Sequence, residues 1–186
     1  MEKFFEAISS GTAEKVKLML TLGQDPNVKN SDGFSPLNVA IKTQNPELVE
    51  MLVSAGADVN AVEVDSEGYA PYPRPLLHFA ITHSSGETST VNLLISAGAN
   101  VNAVDEYGIT PLHMAADENP RITSILISAG ANVNAVDNKG NSVLHEAVLC
   151  GNRNGGNAEI INMLVSAGAN VNATNKEGKT ALELMS

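Results

Sequence analysis

The chain has 186 residues, of which 43% are hydrophobic and 4% are aromatic, so we expect one folded domain with an aliphatic core. Its 11 basic and 21 acidic residues give a net charge of −10, which disfavours nucleic acids and anionic membranes as partners. The single cysteine, Cys150, excludes an internal disulfide framework and a zinc site built on several thiolates. The first residues lack a signal-peptide core, and no apolar run reaches the roughly 18 residues of a membrane span. We therefore expect a soluble, cytoplasmic protein.

One short string recurs along the chain and indicates a repeat protein. The string Ala-Gly-Ala-Asp/Asn-Val-Asn-Ala occurs four times, with its glycine at Gly56, Gly98, Gly130 and Gly168. A degenerate copy surrounds Gly23, so the steps between glycines are 33, 42, 32 and 38 residues.

Each copy contains the signals for two short helices. A serine or threonine that suits a helix N-cap precedes a proline that suits the first helical position, as in Thr110-Pro111-Leu112-His113. A second apolar segment ends at Ala-Gly, where glycine can take the left-handed conformation that stops a helix. Each unit is therefore predicted to be a turn followed by two antiparallel helices, which must stack on its neighbours to bury its apolar face.

The repeat spacing, the Thr110-Pro111-Leu112-His113 motif and the Gly-Ala-x-Val-Asn string together resemble the ankyrin-repeat family. The resemblance implies an all-α, ankyrin-repeat solenoid of helix-turn-helix units with protruding turn or hairpin fingers, in one domain over 1–186. We expect an N-terminal cap, four repeats and a C-terminal cap stub at about 1–29, 30–62, 63–104, 105–136, 137–174 and 175–186. The stub looks short for a solenoid cap.

Three repeats depart from the common length, and the third is one residue short at 117–120. The second gains nine residues, among them a proline-stiffened finger from Tyr69 to Arg74 and a short insertion around 84–87. The fourth gains five residues near 151–156, whose glycines and polar residues predict a mobile connection between its helices.

The histidines and the cysteine are the candidates for catalysis or metal binding. His78, His113 and His145 occupy the same position in successive repeats, and helices packed about 8–10 Å apart cannot bring them to one metal ion. The resemblance implies instead that they hydrogen-bond the neighbouring turn. His145-Glu146 lacks the second histidine of a zinc-protease helix, since residue 149 is leucine, and nothing in the sequence fixes a histidine beside Cys150. We predict no catalytic residue, no metal and no cofactor, and hence no enzyme.

Charge is concentrated in the middle of the chain. Between Lys42 and Lys139 the sequence holds twelve acids, no lysine, and only Arg74 and Arg121 as positive residues. In the family that this chain resembles, turn tips and the ends of first helices line a concave binding face. The residues at these positions of the second and third repeats are therefore the predicted partner-binding site. They are Glu67, Tyr69, Tyr72, Arg74, His83, Glu106, Tyr107, Ile109, Asp117 and Glu118. Equivalent positions in the first and fourth repeats hold Phe34, Lys139, Leu149 and Cys150.

These features favour a non-enzymatic protein-protein interaction module that is monomeric on its own. Its acidic, tyrosine-bearing face would bind a basic protein and act by occlusion, as an inhibitor or an immunity-type protein. The alternatives are an adaptor, scaffold or host-directed effector that tethers two proteins, and, more remotely, an enzyme-associated fragment. A competing interpretation is that the acids only keep the protein soluble.

Overall fold

The structure is a computed structural model that describes residues 2–64, 72–154 and 157–184. Within these ranges, residues 118 and 151–154 are described by their backbone only. It divides into two compact units, Met1–Asn100 and Val101–Ser186. Within the described residues the regular secondary structure is helical, apart from one pair of short strands. The predicted all-α architecture of paired helices is confirmed.

The first unit contains the N-terminal cap and two helix pairs. Its elements are α1 Glu2–Ser9, α2 Ala13–Thr21, α3 Pro36–Lys42, α4 Pro46–Ser54, β1 Val62–Val64, β2 Pro73–Pro75, α5 Leu76–Thr82 and α6 Ser89–Ser96. First helices pack on first helices, α1 on α3 and α3 on α5, and second helices pack likewise, α2 on α4 and α4 on α6. The fully buried side chains between them include Phe4, Ile8, Leu37, Leu48, Leu52, Leu76 and Leu94.

The second unit repeats this arrangement. Its helices are α7 Pro111–Glu118, α8 Pro120–Ser128, α9 Val143–Asn154 and α10 Ala158–Ser166, followed by a 3₁₀ helix at Leu182–Leu184. Helix α7 packs on α9, α8 packs on α10, and the 3₁₀ helix, which is all the described helix in the predicted cap stub, packs on α9. Leu112, Ile122, Leu126 and Ile160 form its core.

The predicted helix starts are confirmed at the Ser/Thr-Pro positions. Ser35 and Thr110 are the N-caps of α3 and α7, and their side chains accept hydrogen bonds from the backbone N–H groups of Asn38 and His113. Where the third repeat is one residue short, Asn119 serves as both the C-cap of α7 and the N-cap of α8.

The predicted mobile connection in the fourth repeat is wrong for residues 151–154. Helix α9 continues through Gly151 to Asn154, so these added residues lengthen a helix. A single glycine costs a helix only about 1 kcal/mol relative to alanine and does not stop it. Gly155-Gly156, which follow, lie outside the described residues.

Strands β1 and β2 pair as an antiparallel hairpin at the finger of the second repeat, as the expected hairpin fingers require. Val62 faces Pro75, Glu63 faces Arg74 and Val64 faces Pro73. The Leu76 N–H donates to the Ala61 carbonyl at 3.0 Å, so the alternation of an antiparallel ladder puts both prolines at positions that exchange no hydrogen bonds. Their missing N–H groups therefore cost the hairpin nothing.

One asparagine in each Val-Asn step links consecutive repeats. The Asn27 Nδ2 donates to the Gly56 carbonyl at 3.0 Å, and its Oδ1 accepts from the Asp58 N–H at 2.8 Å. Asn60 makes the same pair of bonds to Gly98 and Asn100, still within the first unit. In the second unit the same pairs join Asn102 to Gly130 and Asn132, and Asn134 to Gly168 and Asn170.

The expected structural role of the motif histidines is confirmed for His113 and His145. Each Nδ1 accepts the N–H of its own helix N-cap, Thr110 or Ser142, at 3.2 Å. Each Nε2 then carries the proton and donates to a carbonyl of the following turn, His113 to Asn141 at 3.3 Å and His145 to Lys179 at 3.0 Å. His78 is likewise completely buried.

The first repeat has Asn38 in place of this histidine, and Glu63 of β1 supplies the acceptor for the N–H of the helix N-cap. The Ser35 N–H donates to both Glu63 carboxylate oxygens, at 3.1 and 3.2 Å. The Glu63 side chain is only 2% exposed. The side-chain amide of Asn38 makes no hydrogen bond within the described part of the chain. Glu63 of the second repeat thus completes the helix start of the first.

Removing this carboxylate should destabilise the protein. We expect Glu63→Ala to cost about 1–3 kcal/mol, because the buried Ser35 N–H loses its acceptor. Glu63→Gln keeps one acceptor oxygen and should cost less. Urea unfolding followed by circular dichroism measures both, with Glu50→Ala on the exposed face of α4 as the control. A Glu63→Ala variant as stable as the control would contradict this role.

The burial of His113 predicts a pH dependence. Burial lowers the pKa of His113 below its ordinary 6.5, against smaller opposing effects of the Asn141 carbonyl, Asp137 and Asp105. Between the lowered pKa and 6.5 only the unfolded chain binds this proton, so stability is complete above about pH 6.5 and falls as the pH decreases. The slope from one proton is at most about 1.4 kcal/mol per pH unit.

Urea unfolding of wild type and His113→Gln from pH 7.5 to pH 5 tests this. The stability advantage of the wild type should shrink as the pH falls, because the variant has no histidine to protonate. Parallel profiles for the two proteins would contradict the assignment.

Candidate functional site

The tip of the third repeat presents two of the predicted site residues to solvent. The Asp105 carboxylate accepts the N–H groups of Tyr107 and Ile109, both at 2.9 Å, and is itself buried. This closes the turn and leaves Glu106 and Tyr107 outward, with Tyr107 50% exposed. Ile109 is half-buried.

Consecutive tips of the second unit are joined by hydrogen bonds to backbone carbonyls. The Asn138 N–H donates to the Tyr107 carbonyl and its Nδ2 donates to the Glu106 carbonyl, both at 2.9 Å. Gly108 has φ +77°, and a Cβ there would lie 2.9 Å from the Asn138 side-chain oxygen, so the turn and the close approach both require glycine. The tips are therefore preorganised.

A groove of about 360 Å³ lies between these tips and α9. Tyr107, Ile109, Asn138 and Lys139 of the tips line it, and α9 contributes Glu146, Leu149 and Cys150. Glu146 and Leu149 are half-buried. Glu146 was not predicted as a site residue, although its spacing of four residues from Cys150 places both on one face of a helix.

Cys150 lies inside this region and not at a helix end as expected. It is 3% exposed, and its thiol donates to the Glu146 carboxylate at 3.5 Å. Burial, followed by the nearby carboxylates of Asp117 and Glu146, raises the pKa of the Cys150 thiol far above its ordinary value. The thiol therefore stays protonated and is a poor nucleophile.

In the first unit the structure brings Tyr72 and Arg74 together. The Arg74 guanidinium carbon lies 5.2 Å from the centroid of the Tyr72 ring, and both side chains are half-buried. His83 is the C-cap of α5, and its ring stacks parallel to Phe79 at 5.8 Å. The remaining finger residues of the prediction, Glu67 and Tyr69, lie outside the described residues.

The expectation that Phe34 is an exposed tip residue is wrong. Its side chain is 4% exposed and lies under the Lys42 ammonium, whose nitrogen is 4.0 Å from the ring centroid. The turn N–H of Phe34 donates to Asn30 Oδ1 at 2.8 Å, which directs the aromatic side chain inward.

Part of the acidic charge serves the backbone and not the surface. Glu63 and Asp105 are buried, and the carboxylates of Asp58 and Asp137 accept N–H groups of their own turns. Glu106 and Asp117 are exposed, while the side chain of Glu118 lies outside what the structure describes. Sequence charge therefore overstates the acidity that a partner would meet.

Neither a metal site nor a membrane-spanning helix is found among the described residues. They contain no group of three histidine, cysteine or acidic side chains placed to hold a metal ion. None of the helices in the described ranges has the length and apolar character needed to cross a bilayer.

Comparison with known proteins places these features in a family. A family model of ankyrin repeats (3 copies) matches residues 4–105 and 77–175. A crystal structure of an ankyrin repeat domain from Acinetobacter baumannii AYE is similar to this chain with a TM-score of 0.84 and 30% identity. The match covers 98% of this chain and 89% of that one.

Curated relatives match over shorter stretches. Mouse protein phosphatase 1 regulatory subunit 27 is 36% identical over 62 residues, which are 33% of this chain and 40% of that protein. Protein PhlB of Serratia liquefaciens is 33% identical over 115 residues, 62% of this chain and 47% of that protein. The chain thus spans less than half the length of these relatives. It belongs to the ankyrin-repeat family, whose repeats form protein-protein interaction modules.

Proposed function

We propose that this protein is a non-enzymatic module that binds a basic protein surface and acts by occluding it, as an inhibitor or an immunity-type protein. The observation that carries the proposal is the second unit's rigid tip, where Glu106 and Tyr107 are exposed beside a groove that contains Glu146. An interface of this kind offers a large aromatic ring and carboxylates with little conformational entropy left to lose.

Electrostatics supports a basic partner. The sequence between Lys42 and Lys139 has no lysine, and the exposed Glu106 and Asp117 make no ion pair with any side chain that the structure describes. Exposed carboxylates attract positive groups and increase the rate of encounter. In the first unit, Tyr72 and Arg74 of the finger and His83 at the end of α5 are separate candidate contacts.

The positions of the chemically reactive side chains support a role without catalysis. The His113 and His145 ring nitrogens are occupied by backbone and hydroxyl groups, and the Cys150 thiol is protonated. A general base or a nucleophile needs the opposite, namely an available nitrogen or a thiolate.

An adaptor that tethers two proteins is the second candidate. Each compact unit has its own candidate surface, Tyr72 and Arg74 in the first and Glu106 and Tyr107 in the second. The name of the phosphatase relative describes a regulatory subunit, which fits either occlusion or tethering. We also propose a cytoplasmic monomer, because a lone buried thiol suits a reducing compartment and net charge of −10 opposes self-association.

Charge reversal on the exposed acids tests the proposal. The partner is first captured from native cells with the immobilised protein and identified. Glu106→Lys combined with Asp117→Lys should then slow its association by roughly tenfold or more at low salt, with a smaller effect on dissociation. Surface plasmon resonance measures both rates. Tyr107→Ala should instead cost about 2 kcal/mol or more, mainly through faster dissociation.

The matched control reverses Glu159 and Glu177, two exposed acids of the same unit. It changes the net charge equally and should leave binding nearly intact. If the control loses binding and the Glu106/Asp117 variant keeps it, the proposed surface is wrong. One partner per chain supports occlusion, whereas two different proteins bound together support the adaptor.

A further inference from the structure

Three of the second helices, α4, α6 and α10, pack against equivalent positions within their own units. Helix α10 packs on α8 and on α9. Thr123 of α8 and Leu144 of α9 are 0% and 4% exposed, and the Asn134 side chain bonds to the Gly168 carbonyl and the Asn170 N–H, just after α10. Helix α4 packs in the same way on α2 and α3, and α6 on α4 and α5. The equivalent buried or bonded residues are Val16, Leu37 and Asn27 for α4, and Val49, Leu77 and Asn60 for α6.

The same three positions recur beyond α9 without a covering helix among the described residues. We call Ile161, Leu182 and Asn172, which follow the three positions beneath α10 by one repeat step of 38 residues, the C-terminal face. Ile161 is half-buried and Leu182 is 72% exposed. The Asn172 N–H donates to Asn170 Oδ1 at 3.0 Å, but its side-chain amide bonds to none of the described residues. Helix α10 and the 3₁₀ helix both pack on α9, so Ile161 and Leu182 lie on neighbouring elements.

The three residues of the C-terminal face together specify what would cover them. Ile161 and Leu182 gain free energy when their apolar surface is buried. The Asn172 side chain offers amide donors and a carbonyl acceptor. In the other repeats, the equivalent asparagine bonds to a glycine carbonyl just past the end of a helix and to the N–H two residues later. The same ligand must therefore supply apolar side chains and the C-terminal end of a helix.

The helices that occupy this position share a sequence signature. Apolar side chains stand eight and four residues before the glycine that follows the helix, as Leu48 and Leu52 do in α4 and Ile160 and Leu164 do in α10. All four side chains are at most 1% exposed. Residues four apart lie on one face of an α-helix. Such a helix therefore presents an apolar face and a glycine end together.

A second copy of this chain does not present such a helix. Helices α4, α8 and α10 bury these apolar residues within their own chain. In α2 the two positions hold Lys15, which is exposed, and Met19. Stacking α2 of a second copy on the C-terminal face would bury the Lys15 ammonium against apolar side chains, which is costly. The signature therefore favours a different protein.

We propose that the C-terminal face binds an amphipathic α-helix of a protein partner, with apolar residues eight and four positions before a terminal glycine. The helix lies along α10 and the 3₁₀ helix, and the Asn172 side chain bonds to its glycine carbonyl and to the N–H two residues further on. This inference goes beyond the proposed function, because it assigns a second binding surface that recognises apolar shape and a helix end and not charge.

The test uses the complete chain and a defined probe, a blocked peptide with the sequence of residues 45–60, which carries the α4 signature and its N-cap. We expect the peptide to shift the methyl resonances of Ile161 and Leu182 and the side-chain amide resonance of Asn172 saturably. The Kd should be on the order of 1 mM, since a free peptide of this length is only partly helical. The same peptide with Leu48→Ser and Leu52→Ser should not bind.

Variants of the protein locate the binding. Leu182→Asp should weaken peptide binding about tenfold, and Asn172→Ala about fivefold through the lost bond pair. The matched control, Leu22→Asp, changes a leucine of the first unit that is 77% exposed and should bind the peptide as the wild type does.

Three results would each overturn the inference. They are the lack of a saturable shift up to about 10 mM peptide, equal binding of the serine peptide, and affinities of Leu182→Asp and Asn172→Ala equal to that of Leu22→Asp. Sedimentation velocity tests the other occupant, since a concentration-dependent dimer that Leu182→Asp abolishes would assign the face to a second copy and also overturn the inference. Reversal of Glu106 and Asp117 leaves the C-terminal face unchanged, so the proposed function stands or fails separately.

Discussion

The bond pair made by one asparagine per repeat fixes how consecutive repeats meet within each unit. In every observed case the side-chain amide donates to a glycine carbonyl of the next repeat, and the side-chain oxygen accepts an N–H two residues later. That glycine follows the second helix, so the link fixes where the next turn begins relative to the preceding repeat. Each exposed bond is worth only about 1 kcal/mol, but a repeat protein sums such nearest-neighbour terms. The tip contacts, such as Asn138 to Tyr107, depend on this registration.

A second constraint is the N–H of the residue that caps each first helix. Thr110 and Ser142 satisfy it with a histidine three residues later, and Thr180 uses Glu183, whose pKa is lowered by these bonds from the Thr180 backbone and hydroxyl. Pro75 has no N–H to satisfy, and Ser35 relies on Glu63 from the following repeat. The β1–β2 hairpin is therefore coupled to the first repeat, because Glu63 of β1 supplies the acceptor that Asn38 does not.

The sequence was sufficient for features with local causes and insufficient for those with distant ones. The Ser/Thr-Pro and Ala-Gly signals predicted where most helices begin and end, since capping involves neighbouring residues. The resemblance implied hairpin fingers, but two prolines argue against a strand, and only the register shows that they fall at positions that need no N–H. Glu63 and Asp105 belong to the twelve acids of the central stretch, and Phe34 was expected at a tip. Their burial depends on backbone donors and neighbours that no local pattern reveals.

The acidic residues of this protein fall into two groups, those whose carboxylates accept backbone N–H groups and those whose carboxylates accept none among the described residues. A carboxylate that accepts two turn N–H groups, as Asp137 does, keeps its charge, but one of its oxygens already has hydrogen-bond donors. That oxygen is less available to a donor on another protein. Glu106, Asp117 and Glu146 accept no backbone N–H within the described residues, and two of them flank the groove around Cys150. The proposed recognition of a basic partner would therefore depend on a few positioned carboxylates more than on the net charge, whose long-range effect is screened at physiological salt.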